Sequence, residues 1–144
     1  MSSPDRSILL SIKPRFAEAI LDGTKTIELR RTPPRLYVPT DVLLYASQPT
    51  SAIVGTCQVT DILCHSTLGL WRLIGSQTAV TYDEYRAYFN GSARAYGLVL
   101  TAPRRLDTVV SLPTLRKTWD RFHPPQSFRY LTRSSSDQVL ALAH

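Results

Sequence analysis

The sequence predicts an α+β domain, a small β-barrel of five to seven short strands with two to four short helices around it. One indication is the spacing of apolar residues, which is helical over 14–21 and alternates as in a strand from Lys25. A second indication is a set of short apolar runs typical of buried strands, at 8–12, 41–46 and 52–63.

The chain length suits one domain. A chain of 144 residues can bury a single core, so we expect one domain over residues 1–144. Residues 1–6 and 134–144 are expected to be flexible tails. No apolar run is long enough for a signal peptide or a membrane span, and we therefore expect a cytoplasmic protein with no membrane contact.

The first helix is expected to begin at Pro14 and to end before Gly23. Proline suits the first helical position, where its missing N–H costs nothing. Ala17, Ile20 and Leu21 follow at helical spacing and form an apolar stripe that must pack on a sheet. Glycine then ends the helix, because it adopts the left-handed conformation of a helix C-cap without steric cost.

The next strand carries different chemistry on its two faces. Ile27 and Leu29 share the face expected to enter the core. The other face and its two ends are polar and are formed by Lys25, Thr26, Glu28, Arg30 and Arg31. This surface could hold an anion or the edge of a base; the alternative is a solvated face on which Glu28 pairs with Arg30.

The later elements are predicted from the same signals. The strand at 41–46 ends in Ser47, which is either a hydrogen-bond donor into a cleft or an ordinary turn former. Gly55 inside the long strand that follows indicates a bulge or a close backbone approach. Thr81 and Glu84 have the spacing of a capping box. Tyr82, Tyr85, Tyr88 and Phe89 follow at helical spacing and predict a helix whose aromatic stripe either packs in the core or stacks on bases. We further expect a short helix or turn at 68–74, strands at 93–101 and 106–110, and a helix at 112–119.

The last motif, at 124–131, alternates in the manner of a strand. Phe128 and Tyr130 would lie on one side, with Ser127 and Arg129 on the other. If this strand lies beside the one that carries Glu28, the two polar sides would line one cleft. The expected lining residues are Lys25, Glu28, Arg30, Gln126, Ser127 and Arg129.

The positive charge of the chain is unevenly distributed. The formal net charge is +6, and the excess of basic residues lies in segments 1–31 and 102–133. If the fold brings these segments together, they would form a surface that attracts phosphates. The alternative is a generally basic, soluble protein without a polyanionic partner.

The cysteines and histidines do not predict a metal site. Cys57 and Cys64 are separated by an odd number of residues, so on one strand they would point to opposite faces and would not form a disulfide. No cysteine or histidine pair has the spacing of zinc ligands. We therefore predict no metal and no cofactor.

The segment SIKPRFAEAILDGTKTIELRR resembles the signature of the ASCH domain, G-x-K-x-x-E-x-R. Gly23, Lys25, Glu28 and Arg30 fill its four positions. Further resemblance is carried by LLYASQP at 43–49, Gly55, EYRAYFNG at 84–91, Ala95 and PPQSFRYL at 124–131. The resemblance implies the small β-barrel of the PUA-like superfamily.

Membership of this family would imply contact with nucleic acid or its components. Some small bacterial members remove the acetyl group of N4-acetylcytidine, others cleave single-stranded RNA, and larger members act in transcriptional coactivation. The deacetylating members have a lysine that matches Lys25, a threonine at the position of Glu28, and a glutamate near the position of Thr78. Two of these three positions differ here.

We therefore expect a domain that binds RNA, a nucleotide or a modified nucleoside in a basic cleft. The alternatives are a hydrolase of RNA or of an acylated nucleoside, with Lys25 as base or nucleophile and Glu28 moving a proton, and a module that binds a protein partner. The sequence does not define the oligomeric state. The expected ligand-binding residues are Lys13, Lys25, Thr26, Glu28, Arg30, Arg31, Ser47, Gln126, Ser127 and Arg129.

Overall fold

The computed structural model describes residues 6–143 and shows a mixed α+β fold built on one six-stranded sheet. The hydrogen-bonded order of the strands is β2-β5-β4-β3-β1-β6. Strands β1 and β3 pair in parallel, and the other neighbouring pairs are antiparallel. The strands are β1 (Arg6–Ile12), β2 (Ile27–Arg30), β3 (Thr40–Ala46), β4 (Ala52–Ser66), β5 (Arg94–Ser111) and β6 (Phe128–Thr132).

Five α-helices flank the sheet within the described residues. They are α1 (Pro14–Leu21), α2 (Thr67–Ile74), α3 (Tyr82–Tyr88), α4 (Leu112–Thr118) and α5 (Arg133–Leu140), with short 3-10 turns at Gly75–Gln77 and Ala141–Ala143. Four of the helices lie where the sequence predicts them. The fifth, α5, occupies the segment for which a flexible tail is expected.

Helix α5 packs on the sheet. The hydroxyl of Thr132 caps it by accepting a hydrogen bond from the amide of Ser135. Val139 is fully buried in a cluster that also contains Leu9 and Leu131. Burial of this apolar side chain holds the segment against strands β1 and β6. The remainder of the two expected tails, residues 1–5 and 144, lies outside the described residues.

The predicted start and end of α1 are confirmed. Pro14 is the first helical residue, and Gly23 has a φ of +87°, the left-handed conformation in which glycine is favoured. The predicted capping box of α3 is also present, since the hydroxyl of Thr81 accepts from the Glu84 amide and the Glu84 carboxylate accepts from the Thr81 amide. These local signals fix the ends of the two helices that border the candidate site.

Strand β5 differs from the expected pair of strands at 93–101 and 106–110. It runs without a break over 18 residues, and its pairing with β4 shifts register at three points. Ala102 has a φ of +53°, so the chain bends there and continues in the same sheet. The predicted close approach at Gly55 is confirmed, because a Cβ atom at this position would lie 2.5 Å from a methyl carbon of Leu21.

The sheet is open between β2 and β6, which are its two edge strands. The closed barrel expected from the resemblance is therefore not confirmed by the strand pairing. Strand β6 lies beside β1, not beside β2 as the cleft hypothesis supposes. The two edges are instead connected through side chains of the candidate site.

The core is divided by the sheet. Ile8 and Leu10 of β1 belong to a cluster beneath α1, whereas Leu9 points to the opposite cluster with α4 and α5. A third cluster joins Ile27 and Leu29 of β2 to α2 and α3. The apolar face of β2 is thus buried as predicted, and its polar face is left to form the site.

Both cysteines are free thiols, as the sequence predicts. Cys57 is buried and Cys64 is exposed, and burial raises the pKa of the Cys57 thiol to about 12. None of the helices in the described part of the chain has the length and apolarity needed to cross a membrane.

Candidate functional site

A cavity of about 250 Å³ lies between α1, β2 and α3. We call it the lysine cavity. Its walls combine charged side chains with the aromatic rings of Phe16, Tyr85 and Tyr88. The lining residues are Ser11, Ile12, Lys13, Arg15, Phe16, Lys25, Glu28, Leu29, Arg30, Val80, Glu84, Tyr85 and Tyr88.

Lys25 is buried at the wall of this cavity, with 1% of its side chain exposed. The turn after α1 places it there, because its backbone amide donates to the carbonyl of Ala19. Its ammonium donates to the carbonyl of Thr78 at 2.6 Å and lies 3.3 Å from Glu28 Oε1. The same nitrogen is 4.7 Å from the centre of the Phe16 ring, within the range of a cation–π contact.

Burial lowers the pKa of the Lys25 ammonium. The carboxylate of Glu28 opposes this shift, whereas the positive charges of Arg30 and Arg15 add to it. An ammonium has three N–H donors, and Thr78 and Glu28 take up two of them. The third remains for the Phe16 ring or for a ligand in the lysine cavity.

Glu28 and Arg30 complete a buried charge network with Lys25. Glu28 is 6% exposed and Arg30 7%. Glu28 Oε2 accepts from Arg30 Nη2 at 2.7 Å, so each oxygen of this carboxylate faces a different cation. Ion networks removed from water contribute little to stability, because the desolvation penalty offsets the attraction. The network is therefore a better candidate for function than for fold stabilisation.

Arg30 also connects the two edges of the open sheet. Its Nη1 donates to Ser127 Oγ at 2.8 Å, just before β6, and its Nη2 donates to the carbonyl of Ser11 in β1 at 3.2 Å. Its Nε is buried and has no hydrogen-bond acceptor among the described residues. The guanidinium thus fixes the distance between β2 and the β1–β6 pair.

A second, exposed ion pair lies at the rim of the lysine cavity. Arg15 Nη2 of α1 is 2.5 Å from Glu84 Oε2 of α3, and the two side chains are 55% and 38% exposed. Glu84 Oε1 accepts from the Thr81 amide at 2.9 Å. The hydrogen bond from Thr81, followed by the one from Arg15, lowers the pKa of Glu84 to about 2.

A larger cavity, of about 490 Å³, lies on the other side of Lys13. We call it the second cavity. It shares Ser11, Ile12 and Lys13 with the lysine cavity. The residues that it does not share are Tyr45, Ser47, Gln48, Ser51, Leu112, Arg116, Pro124, Pro125 and Gln126.

The structure divides the predicted ligand-binding residues between these places. Lys25, Glu28 and Arg30 line the lysine cavity, Ser47 and Gln126 line the second cavity, and Lys13 lines both. Ser127 contacts Arg30. The expected single cleft is therefore two adjoining cavities.

Four predicted residues line neither cavity: Thr26, Arg31, Arg129 and Ser127, which contacts Arg30. Thr26 donates its hydroxyl proton to Gln77 Oε1, and Arg31 lies over the ring of Tyr88. Arg129 lies over the ring of Phe122, a member of the cluster on the opposite side of the sheet. Ser127 and Arg129, which are expected on one side, contact different parts of the molecule; β6 begins only after Ser127, so strand alternation does not extend to it.

The sequence does not single out Arg15 and Glu84 as site residues. They are 69 positions apart, and no local pattern brings them together. The spacing around Glu84 indicates only a capping box. The contribution of Phe16 to the cavity is equally hidden, whereas the aromatic stripe with Tyr88 is compatible with either a core or a base-stacking surface.

The described residues contain no group of three or more histidine, cysteine, aspartate or glutamate side chains placed to hold a metal ion. The chemistry of the lysine cavity is that of a buried lysine, a carboxylate and a guanidinium beside aromatic rings. Such a set can donate to an anionic or carbonyl oxygen, accept from an amine and stack on a flat ring.

Known proteins with similar sequences include members of one domain family. A sequence profile of the ASCH domain matches residues 10–103. A protein of Zymomonas mobilis subsp. mobilis named ASCH domain-containing ribonuclease is 29% identical over 140 residues, which span 96% of this chain and 94% of that protein.

Solved structures agree with this placement. The crystal structure of ASCH from Zymomonas mobilis superimposes with a TM-score of 0.91 at 27% identity and covers 96% of both chains. The human THYN1 protein, solved in complex with DNA that contains 5-methylcytosine, has a TM-score of 0.56 at 13% identity, with 96% and 98% of the chains covered. At that identity the likeness concerns the fold alone.

Proposed function

The chain belongs to the ASCH domain family, and from that premise we propose that it binds single-stranded RNA, with one base held in the lysine cavity. The observation that carries the proposal is the network of Lys25, Glu28 and Arg30. It places three charged side chains, each less than 10% exposed, at the wall of a cavity that also offers aromatic surface.

The size and chemistry of the lysine cavity suit one base. A volume of about 250 Å³ is below the roughly 300–1,000 Å³ typical of pockets for drug-sized ligands. The rings of Phe16 and Tyr88, which cations already cover in part, supply apolar surface against which a base can pack. Lys25 can donate its third proton to a base carbonyl oxygen, and Glu28 retains lone pairs that can accept from an exocyclic amine.

The chain of the ligand would pass Lys13. This residue is exposed and borders both cavities, so its ammonium lies between a base in the lysine cavity and a neighbouring nucleotide in the second cavity. Arg116 adds a further cation to the second cavity. Cations along such a path attract phosphates and make binding dependent on salt.

A binding measurement tests this proposal. We expect a labelled single-stranded RNA of mixed sequence to bind the protein, with an affinity that falls as salt rises from about 50 to 200 mM. Lys25→Met removes a charge-assisted hydrogen bond and should weaken binding at least roughly tenfold. Lys117→Met is the matched control, because Lys117 is exposed on α4 and lines neither cavity.

The result that contradicts the proposal is equally definite. If the wild-type protein binds neither RNA nor any ribonucleoside, or if Lys25→Met and Lys117→Met weaken binding equally, the lysine cavity is not a nucleic-acid site. A protein partner would then be the better interpretation.

A ribonuclease is the second candidate, favoured by the name of the Zymomonas mobilis relative. Burial lowers the pKa of Lys25, which increases the share of neutral amine able to accept a proton from a ribose hydroxyl. Cleavage of single-stranded RNA by the wild type and by Lys117→Met, but not by a folded Lys25→Met, would support it.

A hydrolase of acylated nucleosides is favoured less. The positions at which the resemblance implies a threonine and a glutamate hold Glu28 and Thr78. Thr78 is fully buried, its carbonyl accepts from Lys25, and its hydroxyl donates to the carbonyl of Gly75. Threonine has no carboxyl group for proton transfer, and the hydroxyl of Thr78 is already used in this hydrogen bond.

A further inference from the structure

The rim ion pair of the lysine cavity has a geometry that a bound phosphate could use. Arg15 and Glu84 both line the cavity and are both partly exposed. Inside the cavity, Arg30 is already bound to Glu28, Ser11 and Ser127. Among the described arginines that line the lysine cavity, Arg15 is therefore the one whose guanidinium is open to solvent.

We infer that Arg15 is the phosphate-binding residue of the lysine cavity and that Glu84 is the anion with which a ligand phosphate exchanges. The inference rests on the proposed function, because it assigns the phosphate of the nucleotide whose base the cavity would hold. It makes Glu84 a determinant of specificity: the cavity would prefer a nucleoside monophosphate to the nucleoside without phosphate.

Arg15 has the chemistry for this role. A guanidinium presents its N–H donors in a planar fork that matches two phosphate oxygens. The Arg15 guanidinium lies 4.4 Å from the centre of the Phe16 ring, which limits its orientations without using its outward N–H donors. A base stacked at Phe16 would therefore bring its own phosphate near this side chain.

Glu84 can release Arg15 without losing its other hydrogen bond. Its Oε1 accepts from the Thr81 amide as part of the capping box of α3, while Oε2 holds Arg15. The terminal phosphate of a nucleoside monophosphate carries more charge than a carboxylate and has three oxygen acceptors, so it competes for the guanidinium better than the singly charged phosphodiester of an RNA chain. The Glu84 carboxylate stays anionic in the capping box and repels phosphate, which makes the pair a barrier to weak anions.

The substitution Glu84→Gln separates the capping hydrogen bond of Glu84 from its competition with a phosphate for Arg15. Glu84→Gln keeps a side-chain oxygen that can accept from the Thr81 amide, because glutamine is also suited to a capping box. It removes the charge that competes for Arg15. The chain also offers a matched control in an exposed ion pair elsewhere: Glu18 of α1 pairs with Arg105 at 2.8 Å, both are exposed, and Glu18 lines neither cavity.

The experiment is an NMR titration of the full chain with the four ribonucleosides and their 5′-monophosphates at fixed ionic strength. We expect Glu84→Gln to tighten binding of a monophosphate roughly 1.5- to fivefold, the range for removal of one exposed ionic competitor. Binding of the matching nucleoside should not change. Arg15→Gln should abolish the preference for the monophosphate, and Glu18→Gln should behave like the wild type. The amide spectrum of each variant reports its fold.

Two outcomes overturn the inference and remain distinguishable from failure of the proposed function. If RNA or nucleosides bind but Glu84→Gln changes nucleoside and monophosphate affinities equally, or changes neither, Glu84 does not compete with a phosphate for Arg15. If Arg15→Gln keeps the wild-type preference for the monophosphate, Arg15 does not bind phosphate. Either result overturns this inference alone. If no RNA, nucleoside or monophosphate binds the wild type or any variant, the proposed function fails with it.

Discussion

Two ion-pair systems border the lysine cavity, and they differ in exposure. The inner one joins Lys25, Glu28 and Arg30, whose side chains are 1–9% exposed. The outer one joins Arg15 and Glu84, which are 55% and 38% exposed. Both contain a guanidinium–carboxylate pair at a similar distance, 2.7 Å in the inner system and 2.5 Å in the outer one, so their different surroundings decide what each pair can do.

The inner system is restricted to one arrangement. Each of its charges has lost most of its water, so removal of any partner leaves another charge buried without compensation. The outer system keeps its water, and either partner can be released at low cost. The inner network thus sets the shape of the cavity, whereas Arg15 at the rim can exchange Glu84 for an anionic group of a ligand.

The strongest test of this difference is the removal of the inner carboxylate. Glu28→Gln leaves two cations facing a neutral amide in a buried site, and we expect the free energy of unfolding to fall by about 3 kcal/mol. For a chain of this length, the melting temperature should fall by roughly 10 °C. Urea denaturation and thermal unfolding measure the two quantities.

Glu18→Gln provides the comparison for that measurement. It breaks a solvated ion pair with Arg105 and should change the melting temperature by less than about 2 °C. Equal losses in the two variants would show that burial does not distinguish the inner network, and the comparison would fail.

A smaller effect is expected when the geometry of Arg30 changes and its charge does not. Arg30→Lys cannot contact Glu28, Ser11 and Ser127 together, because an ammonium lacks the planar fork. We expect a loss of about 1–2 kcal/mol in the free energy of unfolding. Hydrogen exchange should quicken at the Ser11 amide, which donates to the carbonyl of Ser127 between β1 and the start of β6.

Arg129→Lys is the control for this variant. Arg129 lies on β6 but faces Phe122 on the other side of the sheet. Its replacement should leave exchange at Ser11 unchanged. If both variants accelerate exchange equally, Arg30 does not hold the sheet edges together.

The sequence predicts best those features that depend on residues close together along the chain. The segment from Pro14 to Arg30 encodes its own helix, turn and strand, and the family predicted from Gly23, Lys25, Glu28 and Arg30 is confirmed. These features depend on spacing over a few residues. The sequence alone therefore placed the charged residues of the inner network on and beside one strand.

Features that depend on distant contacts were beyond the sequence. The pairing of Arg15 with Glu84 and the bridge from Arg30 to Ser127 join positions 69 and 97 apart. The alternation of side chains along a strand is also no guide to residues that lie beyond its ends. Thr26 precedes β2 and Ser127 precedes β6, and neither side chain lines a cavity.

The pH dependence of stability tests the inner network in another way. Burial lowers the pKa of Lys25 in the folded protein below its unfolded value of about 10.4. Between these two values the unfolded chain binds more protons, so this group adds stability as pH rises. The penalty for burying the charged lysine is present in full below the folded pKa and disappears above the unfolded one.

Comparison with Lys25→Met isolates this contribution. We expect the free energy of unfolding of the wild type, minus that of Lys25→Met, to increase from pH 7 to pH 10, as measured by urea denaturation. Groups that titrate in both proteins cancel in the difference. A difference that stays flat or falls with pH would show that the ion pair with Glu28 outweighs burial at Lys25.

The smallest effect on stability is expected at the outer pair. Glu84→Gln breaks the contact with Arg15 but keeps an acceptor for the Thr81 amide, so the melting temperature should change by less than about 2 °C. Glu84→Ala removes that acceptor as well and should lower the melting temperature further. Thermal unfolding at low salt measures both. If Glu84→Gln lowers the melting temperature as much as Glu28→Gln does, the rim ion pair is held as firmly as the buried network. Arg15 could not then exchange Glu84 for a phosphate.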